Sequence, residues 1–119
     1  MTIKPESRAL AQALLDHHRA RVTELPPRGK PATAQYLVRY GDLCAKAGVP
    51  HLTRVVGPFL REIAEWCKAA GYPPLNALAV NQTGMPGEGY DGAGGYVMNE
   101  WPKDVEACIL FTGYPARLP

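Results

Sequence analysis

No two of the three cysteines, Cys44, Cys67 and Cys108, stand in a CxxC spacing. That excludes a zinc ribbon and a dithiol redox motif. The odd, widely spaced set reads as free thiols in a reducing cytosol. No run approaches the roughly 18 apolar residues that a membrane span needs. The first residues, MTIKPESRALAQALL, are mixed in charge and lack the apolar stretch of a signal peptide. The expectation is therefore a cytoplasmic protein with no membrane partner. Chemistry is equally sparse. A Walker loop, an HExxH helix, a nucleophile elbow and an ordered Ser-His-Asp set are all missing. The glycine-rich GEGYDG has no amphipathic helix after it, which a dinucleotide fingerprint requires. Glu88, Asp91 and Glu100 do not have the spacing of an EF-hand loop. No catalytic residue, metal site or cofactor is expected.

What is present suits one small domain. The chain has 119 residues, of which 46% are hydrophobic, enough for a core without staples. Its net charge of +2 hides a gradient. Arg28, Lys30, Arg39, Lys46, Arg54 and Arg61 face only Asp42 over residues 28–61. Glu88, Asp91, Glu100, Asp104 and Glu106 face only Lys103 over residues 82–106.

The pattern divides into an N-terminal helix (1–24), a Pro/Gly-rich connector (25–35) and a winged-helix-like unit (36–119), all in one globular body. Pro5 suits the first turn of a helix over Glu6–Val22, with Leu10, Ala13, Leu14 and Val22 near one face. His17 and His18 are adjacent, so they cannot clasp a metal together as an i, i+4 pair does, and they read as surface residues. Tyr36–Val38 reads as a short strand. Tyr40–Ala47 reads as a helix ended by Gly48, with Val49–Leu52 as a turn. Thr53 is placed as an N-cap or first-turn residue of a second helix. Pro58 should kink or restart that helix. Phe59, Leu60, Ile63, Trp66, Cys67 and Ala70 then form an apolar stripe, which reads as core. Pro74–Asn81 and Val105–Phe111 read as strands, the glycine-dense stretch between them as a loop, and the last eight residues as a tail. The fold class expected is α/β: a winged helix-turn-helix with an N-terminal helix and a small sheet.

Tyr36–Arg61, a helix, tight turn and helix that coincide with the basic segment, suggests a phosphate-binding face. A recognition helix starting near His51–Thr53 would present His51, Thr53 and Arg54 from its first turn, where amides and dipole also favour phosphate. Tyr40 can donate its hydroxyl to a phosphate. Arg39 and Lys46 support the same face.

At these residues the chain resembles the C-terminal winged-helix domain of the O6-alkylguanine-DNA alkyltransferases and the alkyltransferase-like proteins. The shared order is Val38, Tyr40, Leu43, Ala47-Gly48, Pro50 and Arg54-Val55-Val56-Gly57. Pro74, Val80, Gly84, Gly89-Tyr90 and Gly94-Gly95 continue it more loosely. The resemblance implies that Tyr40 rotates a phosphate and Arg54 enters the base stack in place of a flipped nucleotide. The family's reactive Pro-Cys-His-Arg segment is replaced by Pro73-Pro74-Leu75-Asn76-Ala77-Leu78. Without the cysteine nucleophile and its histidine, alkyl transfer is not expected. The resulting expectation is a non-catalytic protein that binds duplex DNA. The alternative is a protein-interaction module, an inhibitor or adaptor of phage or bacterial type. It would use the acidic loop 84–101, with Tyr90, Tyr96 and Trp101 as exposed anchors for a protein partner.

Overall fold

A computed structural model describes residues 3–27, 33–87, 90 and 100–119. The described chain is mostly helical. It contains four α-helices: α1 (Pro5–Glu24), α2 (Tyr40–Lys46), α3 (Gly57–Ala70) and α4 (Trp101–Leu110). Two two-residue strands, β1 (Val38–Arg39) and β2 (Ala79–Val80), pair in parallel with Val38 opposite Ala79 and Arg39 opposite Val80. A parallel pair needs a crossover, and α2 and α3 supply it. Short 3₁₀ helices fill Thr33–Tyr36, Pro50–Val55 and Leu75–Leu78.

The N-terminal helix forms where Pro5 predicts, with proline in its first turn. It buries Leu10, Ala11, Leu14 and Leu15 against α3 and the Leu75–Leu78 turn. His17 and His18 are buried too, which corrects their reading as surface residues. Each is pinned by a carbonyl. The Nε2–H of His17 donates to Tyr36 O at 2.9 Å and that of His18 to Cys108 O at 2.7 Å. Their adjacency sends them to different partners: one to the chain entering β1, the other to α4.

Helix α3 is the best-specified element. Pro58 sits in its first turn, so the proline starts the helix and does not kink it. Leu60, Ile63, Ala64, Trp66 and Cys67 are buried at helical spacing. Gly71, at φ 78°, closes it, and the Tyr72 amide donates to Cys67 O at 2.9 Å. At φ 78°, Gly48 likewise stops α2.

Several expected elements are different. The strand expected over Tyr36–Val38 covers only Val38–Arg39, because Thr33–Tyr36 winds as a 3₁₀ helix. Residues 105–111 do not form a strand: Val105–Leu110 belongs to α4. Trp101, Val105, Cys108 and Ile109 stand at i, i+4, i+7 and i+8, and the last three are buried on one face. The expected strand Pro74–Asn81 is mainly a 3₁₀ turn, with only Ala79–Val80 extended. The expected tail is docked. Tyr114 donates its hydroxyl to Pro73 O at 2.7 Å, and its ring meets those of His18, Tyr72 and Phe111. Gln12 holds the residues beyond it, donating to Ala116 O and accepting from the Leu118 amide.

Candidate nucleic-acid interface

β1 leads directly into α2, so Arg39 and Tyr40 stand at the joint of strand and helix. Arg39 is exposed, while Val38 beside it points into the core. Along α2, Leu43 and Cys44 face inward and Lys46 faces out in the last turn. The 3₁₀ helix Pro50–Val55 buries none of its residues. It therefore stands out as a knuckle, packed on α2 where Thr53 Cγ2 lies 3.8 Å from a Cβ built on Gly41.

This knuckle corrects the expected recognition helix. Residues 50–55 take the tighter 3₁₀ winding, and the α-helix begins only at Gly57. Pro50 and Pro58 bracket the interval, and neither can donate to a helical ladder. Thr53 caps no helix: its Oγ1 donates back to Pro50 O at 2.8 Å. His51 and Arg54 are exposed on the knuckle, and Thr53 is half-buried.

Two hollows adjoin on this side and share Arg39 and Asp42. One, about 600 Å³, is lined by Arg39, Tyr40, Asp42, Thr53, Arg54 and Gln82, among others. The other, about 750 Å³, is lined by His17, Arg21, Gln35, Arg39, Asp42 and Lys46, among others. The structure thus brings Arg39, Tyr40, Thr53 and Arg54 together, and sets Lys46 on the neighbouring hollow across Arg39. Among the described residues, Arg39, Lys46 and Arg54 make no ion pair. His51 lines neither hollow. Arg28 and Lys30, also counted in the basic segment, lie outside the described residues.

Tyr40 is half-buried, and its hydroxyl oxygen accepts the Gly87 amide at 2.7 Å. Burial raises its pKa from the ordinary value, partly offset by the Gly87 hydrogen bond. The phenol therefore keeps its proton at neutral pH, with the O–H available as a donor. On the floor of the second hollow, burial lowers the His17 pKa, the carbonyl of Tyr36 acts in the opposite direction, and Lys46 and Arg21 lower it further. His17 is thus a neutral wall of the hollow at pH 7 and not one of its cations.

The sequence reading missed the segment after β2. Asn81 builds a tight turn: its Oδ1 accepts from Thr83 N, Thr83 Oγ1 and Met85 N, and its amide donates to Met85 O at 2.8 Å. Gly84, at φ 83°, completes the turn. The signal was available, because Asn-Gln-Thr-Gly is a typical Asx-turn sequence. This turn places Asn81 and Gln82 on the Arg54 hollow.

The proposed protein-partner anchors stand otherwise than expected. Tyr90 is buried, and its hydroxyl donates to Asp104 Oδ2 at 2.6 Å. Trp101 is half-buried and donates its indole N–H to Ala77 O at 2.8 Å. Both close over the core, since each ring finds an apolar bed and a polar partner for its tip. Tyr96 lies outside the described residues, as does most of the loop 84–101. Groups of three or more metal-ligating side chains are absent among the described residues. No helix among them is long and apolar enough to cross a membrane. No protein-family model, curated protein or solved structure matches the chain.

Proposed function

We propose that this chain is a non-catalytic protein that binds duplex DNA through the β1–α2 joint and the Pro50–Val55 knuckle, in the manner of a winged helix-turn-helix. One observation carries the reading. Arg39, Lys46 and Arg54 are exposed, border adjoining hollows and have no carboxylate partner among the described residues. Unpaired guanidinium groups on a concave face suit phosphate oxygens, which they can engage bidentately. Tyr40 adds a neutral donor held in place by Gly87. The turn Asn81–Met85 follows β2 where a wing would begin. Asp42 is the one described carboxylate lining these hollows and limits how strongly the face attracts DNA.

The test is binding of a labelled duplex, followed by anisotropy across a salt series starting near 50 mM. Affinity should fall steeply with salt, with a log–log slope of about −0.9 per phosphate neutralised. Arg54→Ala should weaken binding about tenfold or more, the scale of one lost charge-assisted contact, and should flatten the slope by about one unit. Absence of binding at low salt, or an unchanged affinity for Arg54→Ala, would sink the reading.

A further inference from the structure

The larger hollow is built by three elements, and the duplex reading uses only part of it. Helix α1 contributes His17 and Arg21, β1 contributes Arg39, and α2 contributes Asp42 and Lys46. Its volume, about 750 Å³, admits a small ligand. Three cations and a single carboxylate line it, so the concavity carries net positive charge. Arg21 is half-buried and held in place. Its Nε donates to Gln35 O at 2.9 Å and its Nη1 to Glu24 Oε2 at 3.1 Å, which leaves Nη2 without a partner among the described residues. Arg39 and Lys46 are exposed and make no hydrogen bond or ion pair among those residues.

His17 is the buried polar group of this hollow, 9% exposed. Its Nε2–H is committed to Tyr36 O, and Nδ1 has no hydrogen-bond partner among the described residues. The groups that act on it are Arg21 and His18 from α1 and Lys46 from α2, while Arg39 and Asp42 share the hollow. Burial disfavours its protonation most, the Tyr36 carbonyl favours it, and Lys46, Arg21 and His18 oppose it. An anion seated among these cations would offset their repulsion and add its own attraction, so His17 would gain a proton on binding. Protonated Nδ1 is then one more donor.

We propose that this hollow binds a phosphate monoester, with Arg21, Arg39 and Lys46 holding its oxygens and His17 taking up a proton as it enters. A monoester carries about −1.5 to −2 charge at neutral pH and three strong acceptor oxygens. A backbone diester brings only a single charge, so a hollow with three cations favours the monoester. The group can come from a small phosphorylated molecule or from the 5′ end of a nucleic-acid strand. The site stands independently of the duplex reading: Arg21 and His17 have no part in that face, and Arg54 does not line this hollow.

The experiment titrates the full chain, followed by amide NMR, with adenosine 5′-monophosphate, adenosine, and a short single strand with and without a 5′-phosphate. The phosphorylated probes should bind more tightly than their unphosphorylated counterparts and shift the amides of Arg21, Arg39 and Lys46. Preference for the nucleotide assigns a small molecule, and preference for the phosphorylated strand assigns a strand end. Arg21→Gln should weaken binding roughly tenfold or more, the scale of a lost charge-assisted contact. Asp42→Asn, at an exposed position, should strengthen it, a gain that misfolding cannot produce. Sulfate, which does not titrate between pH 8 and pH 6, should bind severalfold more tightly at the lower pH, and His17→Gln should flatten that dependence. A monophosphate that binds no better than adenosine, or equally well to Arg21→Gln and to the wild type, overturns the site. A sulfate affinity that stays level from pH 8 to pH 6 overturns the part given to His17. Either failure leaves the duplex reading, tested through Arg54→Ala, where it stands.

Discussion

Acidification should destabilise this protein through two adjacent histidines. His17 and His18 are both buried, and each spends its Nε2–H on a backbone carbonyl. Burial lowers both pKa values from the usual 6.5, against the opposing pull of those carbonyls. The unfolded chain therefore binds more protons than the folded one below about pH 6.5. Stability is full above that value and falls as the pH drops toward the folded-state pKa values. The ceiling follows from linkage. A histidine kept neutral in the fold loses about 1.4 kcal/mol between neutral pH and pH 5.5, so two lose about 2.8 kcal/mol. Solvent reaching His17 from its hollow screens part of this, leaving roughly 1–2 kcal/mol. That is a large share of a typical domain stability of about 5–15 kcal/mol. Thermal melts followed by circular dichroism should show Tm dropping by roughly 5–10 °C from about pH 7.5 to pH 5.5. His17→Gln with His18→Gln keeps an N–H donor at each site but cannot titrate. The double variant should melt at a lower temperature at neutral pH and lose most of the pH slope. An unchanged slope in it, or a wild-type Tm that holds steady or rises on acidification, would refute the linkage.

Two further outcomes follow from the packing. Burial pushes the thiols of Cys67 and Cys108 up to about 11 and about 12, and that of Cys44 upward, so all three should resist a thiol reagent at pH 8 until denaturant is added; rapid labelling of any one in the native protein would contradict this. A Cβ at Gly87 would lie 3.1 Å from the Tyr40 hydroxyl, so in Gly87→Ala that hydroxyl must give way by a few tenths of an ångström. It should cost about 1 kcal/mol of stability and weaken duplex binding; a variant with both unchanged would show that Tyr40 does not position the Asn81 turn.

Much of the helical frame was legible before any coordinates. Pro5 and Gly71 mark ends of α1 and α3, and the Phe59–Ala70 stripe carries a clear 3.6-residue period, because capping and amphipathicity are local properties. The α4 misreading has an equally local cause. Val105–Phe111 is a short apolar run, and such runs fit a buried strand or a buried helix alike. The preceding Trp101-Pro102 start and the i, i+4, i+7, i+8 set were the discriminating signal. In the candidate interface, the basic segment pointed to Arg39, Tyr40, Lys46, Thr53 and Arg54. It did not point to Asn81 or Gln82, which enter the same surface only through the β1–β2 pairing.

The sequence by itself determined where α1, α2 and α3 run, and that no nucleophile stands in Pro73–Leu78. Those are matters of residue type, spacing and caps. Only the tertiary structure decided which of the two histidines meets which carbonyl, that Tyr90 and Trp101 turn inward, and that Tyr40 is held by the segment after β2. Each of those depends on a partner distant in the chain: Cys108 for His18, Asp104 for Tyr90, Ala77 for Trp101, Gly87 for Tyr40. A buried polar group must find its hydrogen bond somewhere, and only the packed core shows where.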